Sequence, residues 1–366
     1  MSTQTGLLIR EHAAALAEAA VAQQYAAQPG IWRPYGSPGR AKSVRDAGYH
    51  LDYLVEALDA GDPSLFTAYL AWVKVLFAGL KFPESVLPST LACTRQALID
   101  QLTAEACAPA LQLLEIGLRS LAEAPATLPS YLAGDAPLDQ LARRFSEALL
   151  AGDRLNASRM ILQAVEGGTP VKAIYLRVFQ PSQHEIGRLW QTSQISVAQE
   201  HYCTAATQMV MSQLYPYIFT GERRDRRLVA TCVGGELHEI GARMVADFFE
   251  MDGWDTYFLG ANTPAESVLR TVDERRADVL AVSCTMTFHV ERVRELIAAA
   301  RRSGLQVRIL VGGYPFNIAP ELWRSVGADG YAPNAQEAIT VATRLLAANT
   351  IAARTASRPL PGQNQG

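Results

Sequence analysis

The chain has 366 residues, 49% hydrophobic and 19% charged, with a formal net charge of −3. That length exceeds one ordinary core, so two or three domains of a soluble globular protein are expected. The near balance of acid and base excludes the basic footprint of a nucleic-acid binder, and the longest apolar run, Ala68 to Leu80, is interrupted by Lys74 and too short to span a bilayer.

In chain order, residues 1–126 read as an all-helical domain. The alanine-rich start carries Arg10, Glu11 and Glu18, which marks an amphipathic helix and not a signal peptide. Helical spacing predicts elements at Leu7–Gln28, Ala41–Ala60, Pro63–Leu80, Glu84–Thr103 and Pro109–Ala122, with a Gly/Pro-rich loop from Gly30 to Arg40. Nine Lys/Arg face twelve Asp/Glu in this region, which is no composition for reading DNA. His50, between Tyr49 and Leu51, is the kind of residue a heme or bilin site would want. A half-buried core histidine is the reading favoured here, and Trp32, Tyr35, Tyr49, Tyr53, Phe66, Tyr69 and Trp72 read as core aromatics.

Pro125, Pro129, Gly134 and Pro137 punctuate the passage to a second helical region, residues 138–220. Leu138, Leu141, Phe145 and Leu149 fall at helical spacing, and the length suits a four-helix bundle. A charged linker, Gly221 to Arg227, reads as a solvated hinge. Residues 227–349 alternate strand and helix. Strands are predicted at Leu228–Val233, Thr256–Leu259, Val279–Ser283, Val307–Val311 and, weakly, Gly330–Ala332. Helices are predicted at Glu239–Met251, Ala265–Arg276, Val290–Arg302, Ala319–Ser325 and Ala335–Ala348. Continuous apolar strands between helices predict an α/β flavodoxin-like, Rossmann-like parallel sheet, with ligands beyond the carboxyl ends of the strands. Residues 350–366 read as a disordered tail. The five cysteines show no metal-type pairing, which suits reduced thiols in a cytoplasm.

The chemistry concentrates after the first of these strands, at Glu236-Leu237-His238-Glu239-Ile240-Gly241. A neutral imidazole is a good ligand for a first-row metal, and a carboxylate two residues away can orient it through its other ring nitrogen. Gly234 and Gly235 permit a tight turn, and Gly241 removes a side chain where a bulky ligand would pass. Ser283 with Thr285 beyond it, and Gly312-Gly313, end two further strands and would leave a slot for a flat heterocycle.

On these residues the stretch from Arg227 to Asn349 resembles the B12-binding domains of methionine synthases, mutases and corrinoid proteins. The resemblance implies cobalamin as cofactor and His238 as lower cobalt ligand, displacing the cofactor's own base. Glu236 and Gly241 complete the motif, Ser283, Gly312 and Gly313 line the channel for the nucleotide tail, and Thr285 is counted with the cofactor-binding residues. It also implies that the Asn262-Thr263-Pro264 loop touches the corrin. Many relatives have aspartate where this chain has Glu236.

Upstream, Trp190 is followed after nine residues by Glu200-His201. Taken alone, these are a core tryptophan and a solvated pair. Beside a B12 domain, the pattern resembles the cap of the photoreceptor regulators of the CarH and LitR type. That resemblance implies adenosylcobalamin, with Trp190 against the adenosyl group and Glu200 and His201 holding it. Two departures stand out: Gln191 replaces the histidine that becomes the upper ligand after light in well-known members, and the winged helix-turn-helix of those regulators is not seen. The expectation is a cytoplasmic, light-responsive sensor that is not an enzyme. It would signal to a protein partner or a second copy of itself, without binding nucleic acid or membrane. The alternative is a corrinoid carrier protein of a methyltransferase system, which would share the lower-ligand motif.

Overall fold

The computed structural model describes residues 3–219 and 222–356. It divides into two compact units, Met1–Tyr217 and Ile218–Gly366.

The first unit is helical throughout. Its opening helices are α1 (Gln4–Glu11), α2 (Ala13–Ala27), α3 (Gly36–Ala60), α4 (Ser64–Gly79), α5 (Val86–Gln101) and α6 (Ala104–Glu123). Thr3 caps α1 by accepting from the amide of Gly6. Asp59 in α3 accepts from the amide and hydroxyl of Thr3 and, at 2.7 Å, from Arg10, which tethers α1 to α3. The single helix expected over Leu7–Gln28 is broken at His12. The loop expected from Gly30 to Arg40 is largely helical. A turn at Pro29–Trp32 and a 3-10 turn at Arg33–Tyr35 lead into α3, which tolerates Pro38 in its first turn because no intrahelical bond needs that N–H. α6 starts five residues ahead of Pro109, capped by the Thr103 hydroxyl.

α2 packs on α3 and α5, and α4 on α6. Gly117 permits the second contact, since a Cβ there would sit 2.6 Å from Leu70 Cδ1. His50 is a core residue, 6% exposed, joined to the Tyr69 hydroxyl by a 2.7 Å hydrogen bond, while Tyr69 stacks on Tyr53 with ring centroids 3.6 Å apart.

Four further helices complete this unit: α7 (Pro137–Leu150), α8 (Arg154–Glu166), α9 (Gln180–Gln191) and α10 (Val197–Gln213). α9 is entered through a turn at Val171–Ile174 and a π-helical turn at Tyr175–Phe179. Asp153 caps α8, and Ser196 with Gln199 forms a capping box on α10. The expected four-helix bundle is present, with Phe145, Ile161, Tyr175, Phe179 and Val210 fully buried. It shares one compact unit with α1–α6, although the sequence reading treats the two regions apart.

The second unit is a five-stranded parallel sheet of order β2-β1-β3-β4-β5, with β1 at Arg227–Cys232, β2 at Asp255–Phe258, β3 at Val279–Ser283, β4 at Arg308–Gly312 and β5 at Gly330–Tyr331. This is the flavodoxin-like order. Helices α11 (Ile240–Met251), α12 (Ala265–Arg275), α13 (Val290–Arg302) and α14 (Ala335–Ala356) cover it. Short turns at Tyr314–Ile318 and Leu322–Ser325 stand where one helix, Ala319–Ser325, is expected. Helix α14 continues to Ala356, past the expected start of a disordered tail at 350, and residues 357–366 lie outside the described residues. Thr220 and, of the expected hinge, Gly221 also lie outside them, while Arg223, Arg224 and Arg226 pair with Glu250, Asp252 and Asp278. Among the described residues no helix is long and apolar enough to cross a membrane.

Burial of His50 lowers its pKa to about 4 from the ordinary 6.5. The folded chain therefore holds it neutral where the unfolded chain binds a proton, and stability falls as pH drops from about 6.5 towards 4. Chemical denaturation across that range should show a loss of up to about 3 kcal/mol from this residue, and His50→Gln should flatten the dependence.

Candidate functional site

Strand β1 ends at Cys232, and the chain turns through Gly235, whose φ of +84° is left-handed backbone that suits glycine. The turn sends the Glu236 side chain inward, where it is 0% exposed. An isolated carboxylate in such a place would be strongly disfavoured. Here it has five N–H partners. Oε1 accepts from the His238 amide at 3.0 Å and lies 2.5 Å from His238 Nδ1. Oε2 accepts from the amides of Thr285 and Met286, both at 2.9 Å, and lies 3.2 Å from His289 Nδ1. Burial pushes the Glu236 carboxyl up, but the hydrogen bonds from His238, His289 and the main chain outweigh it and hold the group far below the ordinary glutamate range. Glu236 is therefore an ionised acceptor, and both facing imidazole nitrogens must carry the proton.

The glutamate thus reaches the histidine where many relatives use aspartate. With Nδ1 engaged by Glu236, a metal bond from His238 falls to Nε2. The His238 side chain is 60% exposed and Leu237 beside it is 72% exposed. Beneath the loop, burial together with Glu236 and Glu239 pushes the Cys232 thiol up to about 12. It stays a thiol and donates to the His238 carbonyl across 3.7 Å.

The parallel register brings the other expected residues to the same edge. Cys232 pairs with Ser283, and Ser283 with Gly312, so three strand ends lie side by side. Thr285 contributes its main-chain N–H to Glu236. Gly313, at φ +110°, passes so close to Cys284 that a Cβ would fall 2.0 Å from its carbonyl oxygen. Gly241 has nothing within 4 Å of a Cβ position, which is open space at the start of α11 beside the histidine loop. Asn262, itself at φ +50°, accepts from the Gly235 amide at 2.7 Å and donates its own amide to the Glu236 carbonyl at 3.0 Å. The Asn262 loop therefore braces the histidine loop. The edge of the sheet thus presents an oriented imidazole beside small strand ends and an uncrowded helix start.

The remaining expected residues lie in the helical unit. Trp190, at the end of α9, is half-buried with its ring 6.1 Å from that of Trp72 in α4. Glu200 accepts from the Thr204 hydroxyl at 2.9 Å, and His201, 74% exposed, lies 3.4 Å from Glu200. Gln191 is 4% exposed and donates its side-chain amide to the Trp72 carbonyl at 2.9 Å. The residue standing in place of the upper-ligand histidine is thus occupied in holding α9 to α4. Gly79 makes the approach possible, because a Cβ there would fall 2.7 Å from the Thr192 carbonyl carbon. Sequence reasoning missed His289 and the bracing by Asn262. His289 lies 53 residues from Glu236, and no local spacing signals the contact.

Comparison with known proteins agrees with this geometry. Residues 226–340 match a family profile described as B12 binding domain, and residues 141–215 match a second profile of the same description. Residues 3–121 match a profile described as phycobilisome protein. A dimethylamine corrinoid protein of Methanosarcina mazei is 32% identical over 123 residues, which are 33% of this chain and 72% of that protein. A dimethylamine corrinoid protein of Methanosarcina acetivorans is 28% identical over 195 residues, 51% of this chain and 89% of that protein. Among solved structures, the monomethylamine corrinoid protein of Methanosarcina barkeri shares the fold with a TM-score of 0.51 at 20% identity, covering 56% of this chain and 98% of its own.

Glu236→Ala should leave His238 without its orienting partner and weaken cobalamin binding about 10- to 100-fold, the usual effect of losing a ligand's outer hydrogen bond. Titration of the apo-protein with cobalamin, followed by absorbance, measures it.

Proposed function

The chain belongs to the family of corrinoid proteins built on a B12 binding domain, and on that premise we propose that it is a cobalamin-dependent sensor responding to light. Its lower cobalt ligand is His238 and its upper ligand is adenosyl. Trp190, Glu200 and His201 read the upper ligand, and the output goes to a protein partner or a second copy of the chain. A ligand shifts a conformational equilibrium only by binding its two states unequally, and the adenosyl group supplies that difference when light removes it.

The observation that carries this reading is the packing of the Trp190 turn on α4. Trp72 and Gly79 of α4 touch the turn directly, and α4 lies within the residues that match the phycobilisome profile. The 195 residues shared with the M. acetivorans protein account for 89% of that protein's length and only 51% of this chain. The phycobilisome likeness makes a bilin the ligand class to try on the first region.

A second reading is supported by the names of the relatives. As a corrinoid carrier of a methyltransferase system, the protein would present methylcobalamin to an enzyme, and the apolar cover of Trp190 would suffice over a methyl group.

Illumination of the adenosylcobalamin-loaded protein, with absorbance and oligomeric state followed together, separates the two. The sensor requires photolysis faster than for free cofactor and a change of assembly. Photolysis at the free-cofactor rate with an unchanged assembly would leave the carrier. Trp190→Ala should release adenosylcobalamin selectively, and equal weakening of methylcobalamin would again favour the carrier. Addition of a bilin to His238→Ala, which should lose the lower ligand, tests the first region by itself. A new protein-bound visible band is expected if that region carries a chromophore.

A further inference from the structure

Helices α9 and α10 meet along polar edges. On α9, Gln183, Gly187 and Trp190 recur at i, i+4 and i+7, and on α10 Glu200, Thr204 and Thr207 do the same, so each set shares one helix face. Thr207 is 0% exposed, and its hydroxyl donates to the Cys203 carbonyl at 2.9 Å. Its oxygen is left to accept from the Gln183 side-chain amide at 2.8 Å, which fixes that amide with its own oxygen towards Thr204. The Thr204 hydroxyl has one hydrogen and two acceptors in reach, Glu200 Oε1 at 2.9 Å and Gln183 Oε1 at 3.3 Å. The nearer oxygen belongs to the carboxylate, the stronger acceptor, and takes the hydrogen. On the same face of α9, Gly187 leaves open space, with nothing within 4 Å of a Cβ position.

We propose that Thr204 is a positioning residue that holds the Glu200 carboxylate ready for the upper ligand, and that this brace selects an adenosyl over a methyl group. The inference rests on the reading of Glu200 as an upper-ligand residue and is independent of light. A glutamate on a helix surface turns about three side-chain torsions, and gripping a ligand costs that freedom unless it is restrained beforehand. The Thr204 hydroxyl supplies the restraint from the next turn of the same helix. Gln183 Oε1, left without that hydrogen, stands near the carboxylate as a second acceptor. A carboxylate has about four lone-pair sites. Thr204 occupies one, and His201 lies 3.4 Å from the other oxygen, so sites remain for a ligand. The matching ligand carries clustered O–H and N–H donors, as the ribose hydroxyls and the amine of an adenosyl group do. A methyl group carries none, and apolar cover alone suits it. Loss of the Thr204 hydroxyl is therefore felt by adenosyl and not by methyl.

The test measures, in the dark and on the full chain, the dissociation constants of adenosylcobalamin and methylcobalamin for wild type, Thr204→Val, Thr204→Ser and Glu200→Ala. Thr204→Val keeps the side-chain shape and removes the hydroxyl. It should weaken adenosylcobalamin about 10-fold, the size of losing one hydrogen bond to a charged group, and leave methylcobalamin unchanged. Retained methylcobalamin affinity also reports that the bundle is folded. Thr204→Ser, which returns the hydroxyl, should restore the wild-type affinity for adenosylcobalamin. Equal weakening of both cofactors in Thr204→Val, no change in either, or a selective loss that Thr204→Ser does not repair overturns the inference. Where such a result accompanies a selective loss of adenosylcobalamin in Glu200→Ala, Glu200 keeps its place at the upper ligand and only the brace is removed. If Glu200→Ala weakens both cofactors alike or neither, the upper-ligand reading falls and this inference falls with it.

Discussion

A carboxylate withdrawn from water persists as an ion only where N–H donors replace its hydration. Glu236 meets that condition through three separate pieces of chain: its own loop through His238, the β3 end through Thr285 and Met286, and the start of α13 through His289. The parallel pairing of β1 with β3 brings the first two together, because Cys232 and Ser283 are register partners. The demands spread outward from there. Gly235 must be small and left-handed to clear His289, and Asn262 must reach across to hold the Gly235 amide. His238 is the exposed end of an arrangement whose energetic centre is a buried charge.

The helical unit imposes a second constraint of a different kind. Gly79 brings two backbones within van der Waals distance, and the Gln191 side chain adds a hydrogen bond to the Trp72 carbonyl. A histidine-to-glutamine difference at this position therefore carries structural content: the side chain ties the end of α9 to α4. The bundle and the phycobilisome-like region share a seam here, where the ring of Trp190 lies 6.1 Å from that of Trp72.

Much of the sheet unit was legible. The predicted strand Val279–Ser283 and helix Val290–Arg302 coincide with β3 and α13, since continuous apolar runs and 3.6-residue spacing are carried by neighbouring residues. The Glu236–His238 pair was legible for the same reason, two residues being close enough for side chains to meet in almost any turn. The first region was harder to read. Proline and glycine near residues 30–40 suggest a loop, yet Pro38 sits harmlessly in the first turn of α3, and the Thr103 cap places the start of α6 well ahead of the proline that suggested it.

Periodicity, capping residues and a short ligand motif are written in residues a few positions apart. They were enough to indicate a helical bundle, a flavodoxin-like sheet and a B12-binding domain. His289 on Glu236, Asn262 on Gly235 and Gln191 on Trp72 join residues separated by 53, 27 and 119 positions. Such pairs leave no periodic trace, because each depends on how whole elements pack and not on any preference of the local chain. The choice of a second imidazole as Glu236's outer partner, and the fusion of two helical regions into one unit, emerged only when the folded elements fixed those distances.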